Sequence, residues 1–154
     1  MKVCGDSMGN SSTKIALGAY TKLMRAAESV TSRTSKYMAD GGLTISQFGV
    51  LEAIYHKGPL CQRDIAAKIL KSTGNMTLVI DNLEKSCLVR RERDTVDRRY
   101  FTIHLTETGR TLIARVYSEV EAAVVDNMAA LSIDEQEMLG GLCKKLGKKE
   151  YLIT

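Results

Sequence analysis

EKSCLVRRERDTVDRRYFTIHLT, residues 84–106, passes from the end of a helical segment into two short strands separated by an arginine-flanked turn. In the second strand Phe101, Ile103 and Leu105 alternate with Tyr100, Thr102 and His104, the period-two pattern of a half-buried strand. The hairpin is cationic: Lys85, Arg90, Arg91, Arg93, Arg98 and Arg99 stand against Glu92, Asp94 and Asp97. Guanidinium groups on a projecting hairpin suit phosphates and a narrow minor groove, where negative potential is strongest. A solvated, salt-bridged hairpin with no partner has the same charge pattern, so the flanking segments must decide.

On the N-terminal side, residues 62–70 read as a short helix with Ile65, Ala66 and Ile69 facing inward, and residues 73–86 as a second helix. This is helix-turn-helix spacing. Met76, Val79, Ile80 and Leu83 form the buried face of the second helix, leaving Gly74, Asn75, Thr77, Leu78, Asp81, Asn82 and Lys85 outside. Upstream, Thr44 and Gln47 have the spacing of a capping box, opening a helix that carries Phe48, Leu51, Ala53, Ile54 and Tyr55 and ends at Gly58-Pro59.

Long amphipathic helices are expected at both ends. Ala16, Tyr20, Leu23, Ala27, Val30 and Tyr37 make one stripe over residues 12–38. Thr106 caps a helix whose stripe is Leu112, Val116, Val120, Val124, Met128 and Leu131. A second capping box, Ser132 to Glu135, opens a last helix with Met138, Leu139, Leu142, Cys143 and Leu146 on one side. These stripes exceed what so small a centre can cover, which points to a dimer built from the terminal helices. The expected fold is mainly α with a small β-wing: a flexible segment 1–11, then one domain 12–154. Within it, dimerisation helices 12–40 and 107–150 flank a winged helix-turn-helix 44–105.

Composition narrows the function classes. A chain of 154 residues with net charge +4 is one mildly basic domain, compatible with nucleic acid. Cysteines at 4, 61, 87 and 143 form no C-x-x-C pair, and with only two histidines in the chain no zinc site is expected. The polar start and the absence of any run of about 20 apolar residues suggest a cytoplasmic protein with reduced thiols and no membrane partner. No phosphate-binding glycine loop or acid/base constellation is present, so neither an enzyme nor a cofactor is expected. The rival classes are a non-specific architectural DNA-binding protein and a helical dimer that binds another protein.

LTISQFGVLEAIYHKGPL at 43–60, GNMTLVIDNLEKSCLVRRERD at 74–94 and DRRYFTIHLTETGR at 97–110 resemble the multiple-antibiotic-resistance regulator (MarR) family of bacterial winged-helix transcription factors, over residues 20–146. The resemblance implies a homodimer whose two lobes read a pseudo-palindromic operator in double-stranded DNA, most commonly as a repressor. GNMTLVIDNLEK looks most like members responsive to quinones, phenols or oxidants. Matched residue by residue, the recognition-helix contacts fall on Ser72, Thr73, Asn75, Thr77 and Leu78, and the wing-tip signature on Asp97, Arg98 and Arg99, with Arg91 and Arg93 also on the cationic hairpin. Asp97 is expected to pair with a neighbouring arginine, leaving Arg98 or Arg99 for the minor groove. Two positions depart from the family pattern. Leu78 stands where many members have a polar residue, so that it contacts a thymine methyl or leaves readout less dependent on hydrogen bonds. Cys87 stands where glycine is common, at a place suited to a left-handed backbone.

The resemblance also implies a crevice for a small aromatic or phenolic effector, drawing on Tyr20, Met24, Tyr37, Phe48, Leu51, Tyr55 and His56. Each of these residues taken singly also suits a core position. Thiol sensing is the second route. The long first helix holds no cysteine, so Cys61 and Cys87, on either side of the helix-turn-helix, are the candidates, while Cys143 is expected to be buried.

Overall fold

The computed structural model describes residues 7–69, 73–93 and 101–147. In chain order these form α1 (Ser7–Asp40), α2 (Ile45–Lys57), β1 (Leu60–Cys61), α3 (Gln62–Lys68), α4 (Thr73–Lys85), β2 (Val89–Arg93), β3 (Phe101–Leu105), α5 (Glu107–Met128) and α6 (Ile133–Gly147). The strands form an antiparallel sheet in the order β1-β3-β2. The winged-helix expectation is met, with two differences in extent. α1 begins at Ser7, inside the segment expected to be flexible, and Leu60–Cys61 forms a strand whose two residues carry no alternation to read.

Local chemistry sets the boundaries. At the start of α2 the Thr44 side chain accepts from the Gln47 amide while the Gln47 side chain accepts from the Thr44 amide, closing the capping box. Gly58, at φ 78°, ends α2 in a conformation that favours glycine, and Pro59 follows. Ser132 and Glu135 make the equivalent reciprocal pair before α6.

The core lies within the winged lobe. Val50, Leu51 and Ile54 of α2, Ile65 of α3, Met76, Ile80 and Leu83 of α4, Val89 and Ile103 of the sheet, and Ile113 and Val116 of α5 are essentially inaccessible. The inward face of α5 runs Gly109, Ile113, Val116 and Val120, so the expected stripe is rotated towards its N-terminal end, and Val124 is exposed. α1 joins this core only at its C-terminal end, through Thr34, Tyr37 and Met38. Ile15, Leu17, Tyr20 and Met24, earlier in the same helix, are exposed. α6 buries none of its side chains, so Cys143 is exposed and not buried as its apolar neighbours suggested.

One backbone approach holds the lobe together. A Cβ on Gly109 would lie 1.9 Å from the Leu88 carbonyl oxygen, so only glycine admits α5 against the strand that follows α4. Thr106 secures the same crossing: its hydroxyl donates to the Cys87 carbonyl at 2.7 Å and accepts from the Gly109 amide at 2.9 Å.

Candidate nucleic-acid interface

α4 buries Met76, Ile80 and Leu83 and turns Asn75, Thr77, Leu78, Asn82 and Lys85 outward. Asn75 and Thr77 offer hydrogen-bonding groups in the first half of this face, where a helix N-terminus favours anions. Leu78 is 63% exposed, a large apolar side chain with no role in the core. The outer face is tied to the preceding helix by Gln62, whose side-chain amide donates to the Thr77 hydroxyl at 2.7 Å.

The C-terminal end of α4 closes with Leu88 N–H donating to Leu83 C=O and Cys87 N–H to Glu84 C=O, both at 2.9 Å. This is the Schellman pattern, and it requires a left-handed residue between helix and strand. Cys87 supplies it at φ 56°, the one described non-glycine residue with positive φ. Its thiol is exposed, whereas that of Cys61 is half-buried at the N-cap of α3.

β2 and β3 pair Val89 with Leu105, Arg91 with Ile103, and Arg93 with Phe101 on one face of the hairpin. Burial falls along this face, from Val89, through half-buried Arg91, to exposed Arg93. Arg93 extends over the Phe101 ring, 5.6 Å from its centroid. The opposite face carries a polar chain: Arg90 Nε donates to Glu92 at 2.6 Å, and His104 Nε2 lies 3.3 Å from Glu92 and 3.0 Å from the Thr102 hydroxyl. The hydrogen bond from Arg90 holds the Glu92 carboxyl below its ordinary range against the opposing effect of desolvation, with attraction to His104 and Arg90 adding to it.

Arg91 departs from its expected place among outward-reaching arginines. Its guanidinium bonds to both Asp81 and Glu84 of α4, and its backbone N–H donates to Glu84 Oε1 at 3.1 Å. Burial opposes its charge, but the hydrogen bonds and attraction of the two carboxylates outweigh that effect and raise its pKa further. Spacing carries part of this arrangement, though not the contact itself. Asp81 and Glu84 are three residues apart on one helix face, and Arg91 is on the core-facing side of the strand beginning at Val89. Of the other expected contacts, Thr73 opens α4, while Ser72, Asp97, Arg98 and Arg99 lie outside the described residues.

The residues expected to line an effector crevice are dispersed within one chain. Phe48 and Leu51 are in the core, whereas Tyr20 and Met24 stand exposed on α1. Tyr55 and His56 do come together, with Tyr117 of α5 as the partner that sequence reading missed: His56 and Tyr117 are 4.7 Å apart between ring centroids, and Arg110 lies 5.9 Å from the centre of Tyr55. Tyr37 instead lines a separate cleft of about 460 Å³ between α1 and α5, with Arg33, Lys36, Glu119, Asp126 and Asn127 among its walls. Among the described residues, no group of histidine, cysteine or carboxylate side chains is arranged to hold a metal, and no helix is long and apolar enough to cross a membrane.

Residues 43–101 match the model of the MarR family. The HTH-type transcriptional regulator MhqR of Bacillus subtilis is 33% identical over 135 residues, covering 88% of this chain and 93% of the relative. Reduced AbfR bound to DNA superposes with a TM-score of 0.74 at 22% identity, covering 92% of this chain and 97% of that one. NadR in complex with 4-hydroxyphenylacetate superposes at 0.73 and 22% identity, covering 97% and 99%. With a helix-turn-helix, a cationic wing and near full-length similarity to an established regulator, the chain belongs to the MarR family of transcriptional regulators.

Proposed function

We propose that this regulator is a repressor that binds a pseudo-palindromic operator as a homodimer and is released by a small aromatic or phenolic ligand. The observation that carries the DNA reading is the division of α4. Its inner face is sealed in the core, and its outer face presents Asn75, Thr77, Leu78 and Lys85 beside the wing. In this reading α4 enters the major groove, where Asn75 and Thr77 bond to base edges or phosphates and Leu78 meets a thymine methyl. Arg93 and the wing arginines Arg98 and Arg99 follow the backbone into the minor groove, and Ser72, Thr73 and Asp97 complete the surface.

Dimerisation is supported by the terminal helices. Ile133, Met138, Leu139, Leu142 and Leu146 of α6 are exposed, as are Ile15, Leu17, Tyr20 and Met24 of α1. Apolar faces of that length are a liability on a lone chain, and a second copy supplies a matching set. The dispersal of the expected effector residues fits the same arrangement, because Tyr20 and Met24 would approach a crevice only across such an interface. A ligand that favours a lobe spacing unable to span both half-sites shifts the population away from DNA. Modification of the exposed Cys87 thiol, at the end of the recognition helix, is the alternative route of release.

The test is fluorescence anisotropy with DNA from upstream of the chain's own gene and a scrambled duplex of equal length at one salt concentration. Preference of about a thousandfold or more supports specific regulation at that site. Equal binding of both, with a steep salt dependence, favours an architectural protein.

A further inference from the structure

We infer that Arg91 is a positioning residue: it fastens the wing to the recognition helix through Asp81 and Glu84 and sets the angle at which the two meet DNA, without itself being a DNA contact. The inference rests on the DNA-binding reading above and adds a specific determinant to it. Asp81 and Glu84 occupy the flank of α4 that faces β2, and the Arg91 guanidinium bonds to one carboxylate with each of its terminal nitrogens. Its side chain is only 24% exposed, and the two carboxylates are each 39% exposed. The Arg91 backbone amide bonds to the same Glu84 carboxylate, so main chain and side chain both hold the strand in place.

The position of the residue along the hairpin gives the tie its effect. Val89 is held by the core, while Arg93, two pairs further out, is exposed and stacked on Phe101. Arg91 lies between them, paired with buried Ile103 and bonded to α4. A planar guanidinium can bond to two carboxylates in fixed directions, which a lysine ammonium on a flexible stem does not reproduce. The charge balance argues in the same direction. Two acids beside a DNA-reading face repel phosphates, and Arg91 offsets only one of those charges. Carboxylates at this location are unfavourable for plain electrostatic affinity and useful as anchors for the wing.

This assignment predicts a result opposite in sign to simple electrostatics. The full-length protein would first select a duplex from a random pool, and binding to that duplex and to a scrambled one would be followed by anisotropy over a range of salt. Asp81→Asn combined with Glu84→Gln removes two negative charges. The expected result is weaker binding of the selected duplex, by about tenfold or more, while the scrambled duplex binds as well as before or better. Tighter binding of both duplexes would show Arg91 to be a phosphate contact restrained by the acids, and would overturn the inference. Arg91→Lys, which keeps the charge, is expected to lose selected-duplex affinity with an unchanged salt slope, and wild-type affinity would overturn the inference. If a variant's circular-dichroism melt shows it to be unfolded, the exchange Arg91→Glu with Glu84→Arg decides. Recovery relative to Arg91→Glu alone supports the tie, and no recovery overturns it. Failure of the wild type to select any duplex would overturn the DNA-binding reading itself, a result distinct from a failed tie.

Discussion

Met76, Ile80 and Leu83 on α4 are completely buried, whereas Met138, Leu142 and Leu146 on α6 are 67%, 59% and 60% exposed. Both sets repeat at helical spacing and both helices are amphipathic. The winged lobe covers its own apolar surface by packing α2, α3, α4, the sheet and α5 around one centre. The terminal helices extend beyond that centre, so their apolar faces call for cover from outside the chain. A stripe in a sequence states that a face will be covered without stating by what. In this chain the division separates the part proposed to read DNA from the parts proposed to join two readers.

The contrast is broken most forcefully inside the lobe. Gly109→Ala places a methyl group against the Leu88 carbonyl oxygen, where no flexible side-chain end can give way. Displacing α5 from the strand is expected to cost about 3 kcal/mol, measured as a loss of unfolding free energy in urea. A mutant of wild-type stability would show that the α5 crossing is looser than described.

The terminal helices should respond in the opposite manner. Leu139→Ser with Leu142→Ser removes apolar surface from a face that the single chain leaves uncovered. The lobe should retain its fold by circular dichroism, while sedimentation equilibrium shows a rise in dimer dissociation constant of about a hundredfold or more. An unchanged dissociation constant would remove α6 from the interface, and loss of the lobe's fold would erase the distinction between the two regions.

The smallest effect lies at the junction of helix and wing. Cys87 holds a left-handed backbone at φ 56° with its side chain exposed, so Cys87→Gly relieves strain without leaving a cavity. Stabilisation of up to about 1 kcal/mol is expected, reduced by glycine's greater freedom in the unfolded chain. A loss of more than about 1 kcal/mol, beyond what glycine's unfolded-state freedom accounts for, would mean that the Cys87 side chain makes a contact worth more than the strain.

The readings that succeeded rest on short-range chemistry. Thr44 with Gln47, and Ser132 with Glu135, state their helix starts because a capping box is closed by residues three apart. The inner face of α4 and the inward turn of Ile103 and Leu105 in β3 are equally local, since each follows from the period of one element, although Phe101 at the outer end of the same alternation is exposed. The left-handed place of Cys87 came from the family resemblance. Arg91 was legible as a cation but not as a tie, because its partners are seven and ten residues away on another element. The aromatic group of Tyr55, His56 and Tyr117 was half legible for the same reason: its third member is supplied by the packing of α2 against α5.

The sequence by itself determined the helices and the two wing strands, their order, the winged-helix class and the cationic character of the hairpin, because periodicity, capping and charge act over a few residues. Only the tertiary structure decided which apolar faces are closed within the chain, that Gly109 must lack a side chain, and that Arg91 turns towards α4. Those outcomes depend on distances between segments remote in sequence, and such distances exist only once the chain has packed.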